Sequence, residues 1–174
     1  MSPDRPPRVS GFSYVGLHQY FLTICTAARQ PSFEEDESAS WLCEQILKAF
    51  EPLQFAVVAF CVMPDHVHLL LEGLRDDADL RMAVHNWKLR TGFAWKQRSG
   101  RRLWQEGYFD YVLRDEDQVV DIVKYILNNP LRAKLVDDPT KYPYVGSTRY
   151  PLSELVDTVS DWEPPYKRRR SRRV

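Results

Sequence analysis

The feature that most restricts the fold of this chain is a pair of apolar runs separated by only two residues. Residues 54–63 are almost continuously apolar, and residues 66–72 are rich in Val and Leu. Pro64 and Asp65, which lie between the two runs, are residue types that favour turns. Two strands joined by so short a turn pair as an antiparallel hairpin. The sequence therefore predicts a sheet that contains an antiparallel pair of buried strands.

The segments on either side of this hairpin predict further strands alternating with helices. Before it lie a strand rich in aromatic and β-branched residues, 14–26, and an amphipathic helix, 39–50. After it come a long helix that ends at Gly100, a strand at 107–114 and a helix that Pro130 ends. This order of elements predicts the α+β class, with a ferredoxin-like antiparallel sheet covered by helices.

Two histidines on the second strand of the hairpin are the strongest local signal for chemistry. His66 and His68 are two residues apart, so they share one face of the strand, with Cα atoms about 7 Å apart. Both imidazoles can then reach one metal ion. No thiolate accompanies them, which favours Mg²⁺ or Mn²⁺ over a structural zinc. The alternative is that both are ordinary histidines on a half-exposed strand.

A tyrosine and an asparagine on the last predicted helix form a second candidate pair. Tyr125 and Asn129 are four residues apart, so a regular helix places them on the same face. A phenol beside a metal ion can act as a nucleophile, because the ion stabilises the phenolate and polarises a phosphate. Alternatively, Tyr125 packs its ring and Asn129 caps a short turn begun by Pro130. These residues alone leave both interpretations open.

The net charge of zero conceals an uneven distribution of charged residues. Acidic residues cluster at 34–37, and six basic residues crowd the last eight positions. A second basic stretch ends in an aromatic residue, a combination suited to binding phosphates and stacking on an unpaired base. We predict that its members bind DNA: Lys88, Arg90, Lys96, Arg98, Arg101, Arg102 and Trp104. The alternatives are a solvated helix face, a disordered tail and a core position for Trp104.

Several segments, in their order and spacing, resemble a known family. They are VMPDHVHLLLE at 62–72, LWQEGYFDYVL at 103–113 and VVDIVKYILNNPLRAKLV at 119–136. Together they resemble the REP-associated tyrosine transposases, in the single-tyrosine branch of the HUH nucleases. YFLTICTAARQPSF at 20–33 resembles the first strand and loop of that family. His-hydrophobic-His alone is a weak motif, but its combination with Tyr-Ile-x-x-Asn-Pro is specific, and the likeness covers residues 12–150.

The resemblance implies an HUH nuclease core and a metal-dependent enzyme that cleaves and rejoins single-stranded or hairpin DNA. It implies Tyr125 as the nucleophile, and His66, His68 and Asn129 as ligands of Mg²⁺ or Mn²⁺. The implied intermediate is a 5′-phosphotyrosine with a free 3′ hydroxyl, and the implied partner is the DNA of palindromic repeats. The implied setting is the cytoplasm of a prokaryote, in association with the nucleoid, as a monomer or a homodimer.

The chain departs from the family pattern at two positions. Asp65 stands where Asn is usual, and Lys134 replaces a usual Gly after the Arg-Ala pair. Neither change removes an implied catalytic group, but a lysine at the second position is expected to alter the turn after the helix.

Other functions agree less well with the sequence. A catalytically inactive hairpin-binding descendant is the main alternative, and the intact His66, His68 and Tyr125 argue against it. A two-histidine phosphoesterase needs a second His-x-Ser/Thr motif, which the sequence lacks. A zinc isopeptidase needs Pro after the second His, where Leu69 stands. An RNA-binding ferredoxin-like module needs a Gly-Phe-x-Phe-like strand, which is also absent.

Length and composition set the limits of the domain. A chain of 174 residues, 44% hydrophobic and 28% charged, suits one domain with short tails. We predict this domain at 12–150, a flexible lead at 1–11, and a basic tail at 151–174 that is disordered at its end, with loop from Lys141 onward. The three cysteines match no zinc spacing and are typical of a reduced cytosolic protein. No apolar run is long enough to cross a bilayer.

Overall fold

The structure, a computed structural model, describes residues 11–114 and 116–160. The predicted flexible lead, apart from Gly11, and the end of the predicted basic tail, 161–174, lie outside the described residues. The strands are β1 (Gln19–Cys25), β2 (Phe55–Met63), β3 (His66–Gly73), β4 (Phe109–Leu113) and β5 (Val145–Gly146). The helices are α1 (Asp36–Ala49), α2 (Leu80–Ser99), α3 (Glu116–Leu127), the single turn α4 (Asn129–Arg132) and α5 (Leu152–Ser160).

The strands form one antiparallel sheet in the spatial order β4-β1-β3-β2-β5. The first four strands alternate with α1 and α2 in the sequence βαββαβ, which is the ferredoxin-like arrangement. The predicted α+β class and the predicted order of elements are therefore confirmed. β1 and β3 lie side by side near the centre of the sheet, with Thr23 opposite His68 and Cys25 opposite His66.

The two faces of β3 look into two separate hydrophobic clusters. Val67 and Leu69 pack in the cluster beneath α1 and α2, whereas Leu70 packs in the cluster beneath α3 and α5. Because side chains alternate along a strand, His66 and His68 share the face of Leu70. The hairpin therefore points both histidines towards α3, and the long helix α2 covers the opposite face of the sheet.

Both ends of α2 are capped, and its C-terminal end lies at Gly100 as the sequence predicts. Asp79 accepts a hydrogen bond from the backbone nitrogen of Met82, which caps the first turn. Gly100 has φ 71°, in the left-handed region that glycine adopts easily, and it ends the helix. None of the helices in the described part of the chain is long and apolar enough to cross a membrane.

Some predicted boundaries are wrong because irregular backbone interrupts an apolar pattern. β1 begins at Gln19 and not at residue 14, because Gly16 has φ 118° and the His18 nitrogen donates back to the Gly16 carbonyl, which makes a tight turn before the strand. The segment beyond Lys141 is not all loop. Tyr142 donates a hydrogen bond to the Val62 carbonyl, β5 adds an edge strand, and α5 packs on the second cluster.

Lys134, where the family usually has Gly, adopts φ 60°. Its backbone nitrogen donates to the Leu131 carbonyl, and the nitrogen of Leu135 donates to Pro130. This is the tight left-handed turn that glycine favours at a helix end. The lysine therefore keeps a glycine-like turn, at a strain of about 1 kcal/mol relative to glycine.

Candidate active site

The side chains of the two histidines converge on one point above β3. Nε2 of His66 lies 3.1 Å from Nε2 of His68. The other ring nitrogens have partners: Nδ1 of His66 is 2.6 Å from Oδ1 of Asp65, and Nδ1 of His68 is 2.9 Å from Oγ1 of Thr23. Each ring is therefore fixed at its Nδ1 side and presents its Nε2 to the same small volume.

Both imidazoles are held in the neutral form. Burial lowers the pKa of His66, although the hydrogen bond with Asp65 acts in the opposite direction. Burial, together with the smaller effects of the charges of His66, Arg132 and Arg29, lowers the pKa of His68 to about 3. A neutral imidazole keeps a lone pair, which is the form that binds a metal ion.

This geometry fits a divalent metal ion. Two neighbouring ligand atoms at about 2.1 Å from an octahedral ion stand about 3 Å apart, close to the separation of the two Nε2 atoms. A carboxylate or hydroxyl on the far nitrogen is the usual way in which a metal-binding histidine is oriented. The described residues contain no group of three or more His, Cys, Asp and Glu that could hold a metal. Among the described residues, a third protein ligand would come from another residue type.

Tyr125 and Asn129 lie beside the histidines, at the junction of α3 and α4. The ring centres of Tyr125 and His68 are 5.6 Å apart, and the Tyr125 side chain is partly exposed. Asn129 is buried, its Nδ2 donates to the Tyr125 carbonyl at 2.8 Å, and its side chain is near enough to His68 to oppose the lowering of that residue's pKa. Asn128 precedes the turn and Asn129 does not cap it, so helical geometry continues and brings the predicted pair together.

Four further residues complete the site, and no sequence pattern predicted a function for any of them. Phe21 stacks on His68 with ring centres 5.5 Å apart, and it meets the Tyr125 ring edge-on. The guanidinium carbon of Arg132 lies 4.7 Å from the centre of the Tyr125 ring. Arg132 stands seven residues after Tyr125, two helical turns away, which is a signal that could have identified it. Thr23 is placed beside His68 only by the register of β1 on β3, whereas Asp65 directly precedes His66 in the sequence.

The predicted DNA-binding residues lie on the other side of the sheet, on α2 and the loop that follows it. Arg98 is paired with Glu37 at 2.6 Å, in an exposed ion pair. The remaining exposed basic side chains of the prediction are Arg90, Lys96, Arg101 and Arg102.

Two members of that predicted set have structural positions. The Lys88 ammonium donates hydrogen bonds to the carbonyls of Gln105 at 3.0 Å and Gly107 at 2.7 Å, so it ties the loop to α2. Trp104 is 4% exposed, and its Nε1 donates to Oγ1 of Thr91 inside the core. Its ring therefore has no open face for a base, and the core position that the sequence left open is the one observed.

Known proteins are similar to this chain over most of its length. A curated Haemophilus influenzae protein named as a REP-associated tyrosine transposase is 26% identical over 156 residues, covering 82% of this chain and 86% of that protein. A structure described as a REP-associated tyrosine transposase bound to a REP hairpin superposes with a TM-score of 0.66 at 21% identity. That match covers 94% of this chain and 92% of the other.

A second solved structure has a similar fold. It is a crystal structure described as that of a transposase from Deinococcus radiodurans R1, with a TM-score of 0.50 at 24% identity, and the match covers 71% of this chain and 97% of that one. The family model described as "Transposase IS200 like" matches residues 14–129, more than half of the chain, including both histidines, Tyr125 and Asn129. The chain therefore belongs to the IS200-like transposase family.

Proposed function

We propose that this chain is a metal-dependent tyrosine transposase that cleaves and rejoins single-stranded or hairpin DNA. The observation that carries the proposal is the meeting of His66, His68, Tyr125 and Asn129 in one site of an IS200-like transposase. We infer that His66, His68 and Asn129 would hold Mg²⁺ or Mn²⁺. Such an ion withdraws charge from the scissile phosphate and favours the phenolate.

The chain's own residues would prepare this site before DNA arrives. Asp65 and Thr23 fix the two imidazoles through their Nδ1 atoms, so little reorganisation is needed for both Nε2 lone pairs to act together. Phe21 covers one side of His68 and helps to hold its ring in place. Arg132 carries a positive charge beside the Tyr125 ring and could bind a phosphate oxygen next to the nucleophile.

The chemical step that we propose is a transesterification. Oη of Tyr125 loses its proton and forms a bond to phosphorus, and the bond between phosphorus and the 3′ oxygen breaks. The leaving 3′ oxygen takes up a proton, which gives a 5′-phosphotyrosine and a free 3′ hydroxyl. Because the new bond is again a phosphodiester, the 3′ hydroxyl of another strand can reverse the step without ATP.

The proposed partner is the DNA of palindromic repeats. The likeness to a transposase described as bound to a REP hairpin supports a hairpin substrate, and the exposed cations of α2 supply charge for phosphates. One nucleophilic tyrosine per chain forms one covalent end at a time, so two simultaneous cleavages need a homodimer, whereas a monomer needs two turnovers. We propose that it acts in the prokaryotic cytoplasm, at the nucleoid.

The experiment that tests this function is a cleavage assay with a labelled hairpin oligonucleotide and Mn²⁺, resolved on a denaturing gel. We expect the wild-type chain to give a shortened strand and a protein-linked product, and Tyr125→Phe to give neither. Tyr111→Phe is a matched control, because Tyr111 is an exposed tyrosine on β4. Cleavage by Tyr125→Phe at the wild-type rate would contradict the proposal.

A further inference from the structure

A groove on the α2 side of the sheet has the size and surface expected for a polymer. It has a volume of about 1250 Å³ and lies between α2 and the loop at 102–108; we call it the α2 groove. Pockets for small molecules usually have about 300–1000 Å³. Among the side chains that line the α2 groove, Met82, Leu89 and Phe93 are apolar yet 57%, 62% and 65% exposed. An exposed apolar patch of this kind is typical of a surface that binds a ligand or another macromolecule.

The rim of the α2 groove is positively charged. Its lining includes a single carboxylate, that of Glu106. The four cationic side chains in the lining are Arg81, Lys88, Lys96 and Arg102. Lys88 is held by two loop carbonyls, so it keeps the loop at a fixed distance from α2. Lys96 is exposed, and its charge is available to a polyanion. Arg102 is also exposed, and its Nε donates to the Trp104 carbonyl at 2.8 Å while its guanidinium lies 3.9 Å from the Glu106 carboxylate. Because that ion pair is exposed, a phosphate can compete with Glu106 for the guanidinium.

The pairing of an exposed aromatic ring with these cations points to unpaired nucleotides. Phe93 and Leu89 are four residues apart on one face of α2, between the cationic side chains of the rim. Single-stranded nucleic acids bind to such surfaces by stacking bases on the ring while cations hold the backbone. Duplex DNA hides its bases, so it would leave the apolar surface uncovered.

Gly92 leaves the floor of the α2 groove open. A Cβ at this position would meet only Cδ1 of Trp104, at 3.7 Å, which is ordinary contact. The backbone therefore does not require glycine here, and glycine inside a helix is less stable than alanine. A larger side chain at this position would narrow the α2 groove.

The loop wall of the α2 groove is joined by a backbone hydrogen bond to β1, the strand that pairs with the histidine strand. The backbone nitrogen of Gln105 donates to the carbonyl of Cys25, and Cys25 lies opposite His66 in the sheet. The wall is therefore two strand spacings, about 10 Å, from the His66 position. A DNA strand that passes around this edge of the sheet reaches the α2 groove within a few nucleotides of the histidines.

We propose that the α2 groove binds unpaired nucleotides of the DNA that the site cleaves, with a base stacked on Phe93 and phosphates bound by Lys96 and Arg102. The proposal rests on the proposed function, because it takes DNA as the substrate. The basic run at 167–173 has the same charge as the rim, so charge complementarity favours a nucleic acid strand over that segment as the occupant.

Binding of two fluorescent hairpins to the full chain tests this proposal. One hairpin carries a single-stranded extension of about ten nucleotides, within the usual range of single-strand sites, and the other is blunt. We expect Phe93→Ala to weaken binding of the extended hairpin by about 5- to 100-fold and to leave binding of the blunt hairpin unchanged. Phe93→Tyr should bind like the wild type, because it keeps an aromatic face. Leu47→Ala, an exposed apolar change on α1, is the control that should change neither affinity.

Three results would overturn the proposal. The first is wild-type affinity of Phe93→Ala for the extended hairpin, and the second is an equal loss for both hairpins. The third is sedimentation of the wild type as a dimer and of Phe93→Ala as a monomer, which would make the groove an interface between two copies. None of these binding affinities depends on Tyr125. Absence of DNA cleavage would therefore contradict the proposed function and would leave the comparison of hairpin affinities unchanged.

Discussion

The two faces of the sheet hold their polar residues in different ways. On the α3 face, all four ring nitrogens of His66 and His68 have partners within hydrogen-bond distance, and the rings are largely buried. On the α2 face, Lys96 and Arg101 are exposed to solvent. Buried polar groups depend on one another for their hydrogen bonds, whereas each exposed charge contributes to binding independently of the others. One substitution should therefore disable the first face but only weaken the second.

The largest effect is expected for His66→Ala. Loss of one of the two convergent Nε2 atoms should abolish Mn²⁺ binding and lower cleavage by roughly a thousandfold, since charge stabilisation by a metal supplies several kcal/mol. Calorimetric titration with Mn²⁺ and a single-turnover cleavage assay measure both. Thermal unfolding serves as the control and should show an intact fold. Cleavage by His66→Ala at the wild-type rate in Mg²⁺ would contradict the role of His66 as a metal ligand.

Substitution of Asp65 should show how much the orientation of the His66 ring contributes to metal binding, because it leaves both histidines in place. Asp65→Ala removes the partner of Nδ1 in His66 and should lower Mn²⁺ affinity by about 10- to 100-fold. Asp65→Asn keeps an oxygen that can accept from the ring and should bind Mn²⁺ nearly as the wild type does. Arg29→Ala removes an exposed ion pair with Asp65 and keeps the Asp65 carboxylate on His66, so it should have little effect on Mn²⁺ affinity. Equal affinity in Asp65→Ala and wild type would contradict an orienting role.

Acid should destabilise the metal-free protein through His68. The pKa of His68 is lowered to about 3 in the folded state, against 6.5 for the free side chain. Below about pH 6.5 the unfolded chain binds a proton that the folded chain does not, so stability falls as pH falls from 6.5 towards 3. At pH 5 the loss from this group is about 2 kcal/mol.

Urea unfolding at pH 7 and pH 5, in the presence of a chelator, measures this loss. His68→Gln has no group that titrates at this position, so its stability should fall less than that of the wild type. Parallel losses in the two proteins would show that His68 is not the group responsible.

The smallest effect is expected on the α2 face. Lys96→Ala should weaken binding of single-stranded DNA only a few-fold and lower the slope of log affinity against log salt by about 0.7. Lys48→Ala, which removes a lysine that is paired with Glu44 on α1, should leave the slope unchanged. A loss of all binding from Lys96→Ala would break the comparison, because it would mean that this face also acts as one connected set.

The sequence predicted the fold more completely than the site. The two apolar runs around Pro64 and Asp65 predict the hairpin, and the chain order of elements then leaves few topologies. His66 and His68 could be placed on one face from strand periodicity alone. Tyr125 and Asn129 needed the family resemblance, because a tyrosine followed by Asn-Pro has ordinary structural explanations.

The rest depended on contacts between residues distant in sequence. The hydrogen bond between Thr23 and His68 follows from the pairing of β1 with β3, which no local pattern reveals. Trp104 stands next to basic residues in the sequence, but it lies in the core, where its Nε1 donates a hydrogen bond to Thr91. Lys88 likewise holds a loop and does not point freely to solvent. Charge in a sequence locates a surface only approximately, since tertiary contacts decide which cations remain exposed.

Mass spectrometry of the covalent adduct tests the central claim, that Tyr125 is the nucleophile, most directly. Protein, Mn²⁺ and a hairpin oligonucleotide are incubated, the DNA is trimmed with nuclease, and the chain is digested with trypsin. Cleavage after Lys124 and Arg132 releases Tyr125 in the peptide 125–132, and Tyr111 in the separate peptide 103–114. We predict a nucleotide mass on the peptide 125–132 and on no other. A nucleotide on the peptide 103–114, or strand cleavage with no peptide modified, would contradict the account.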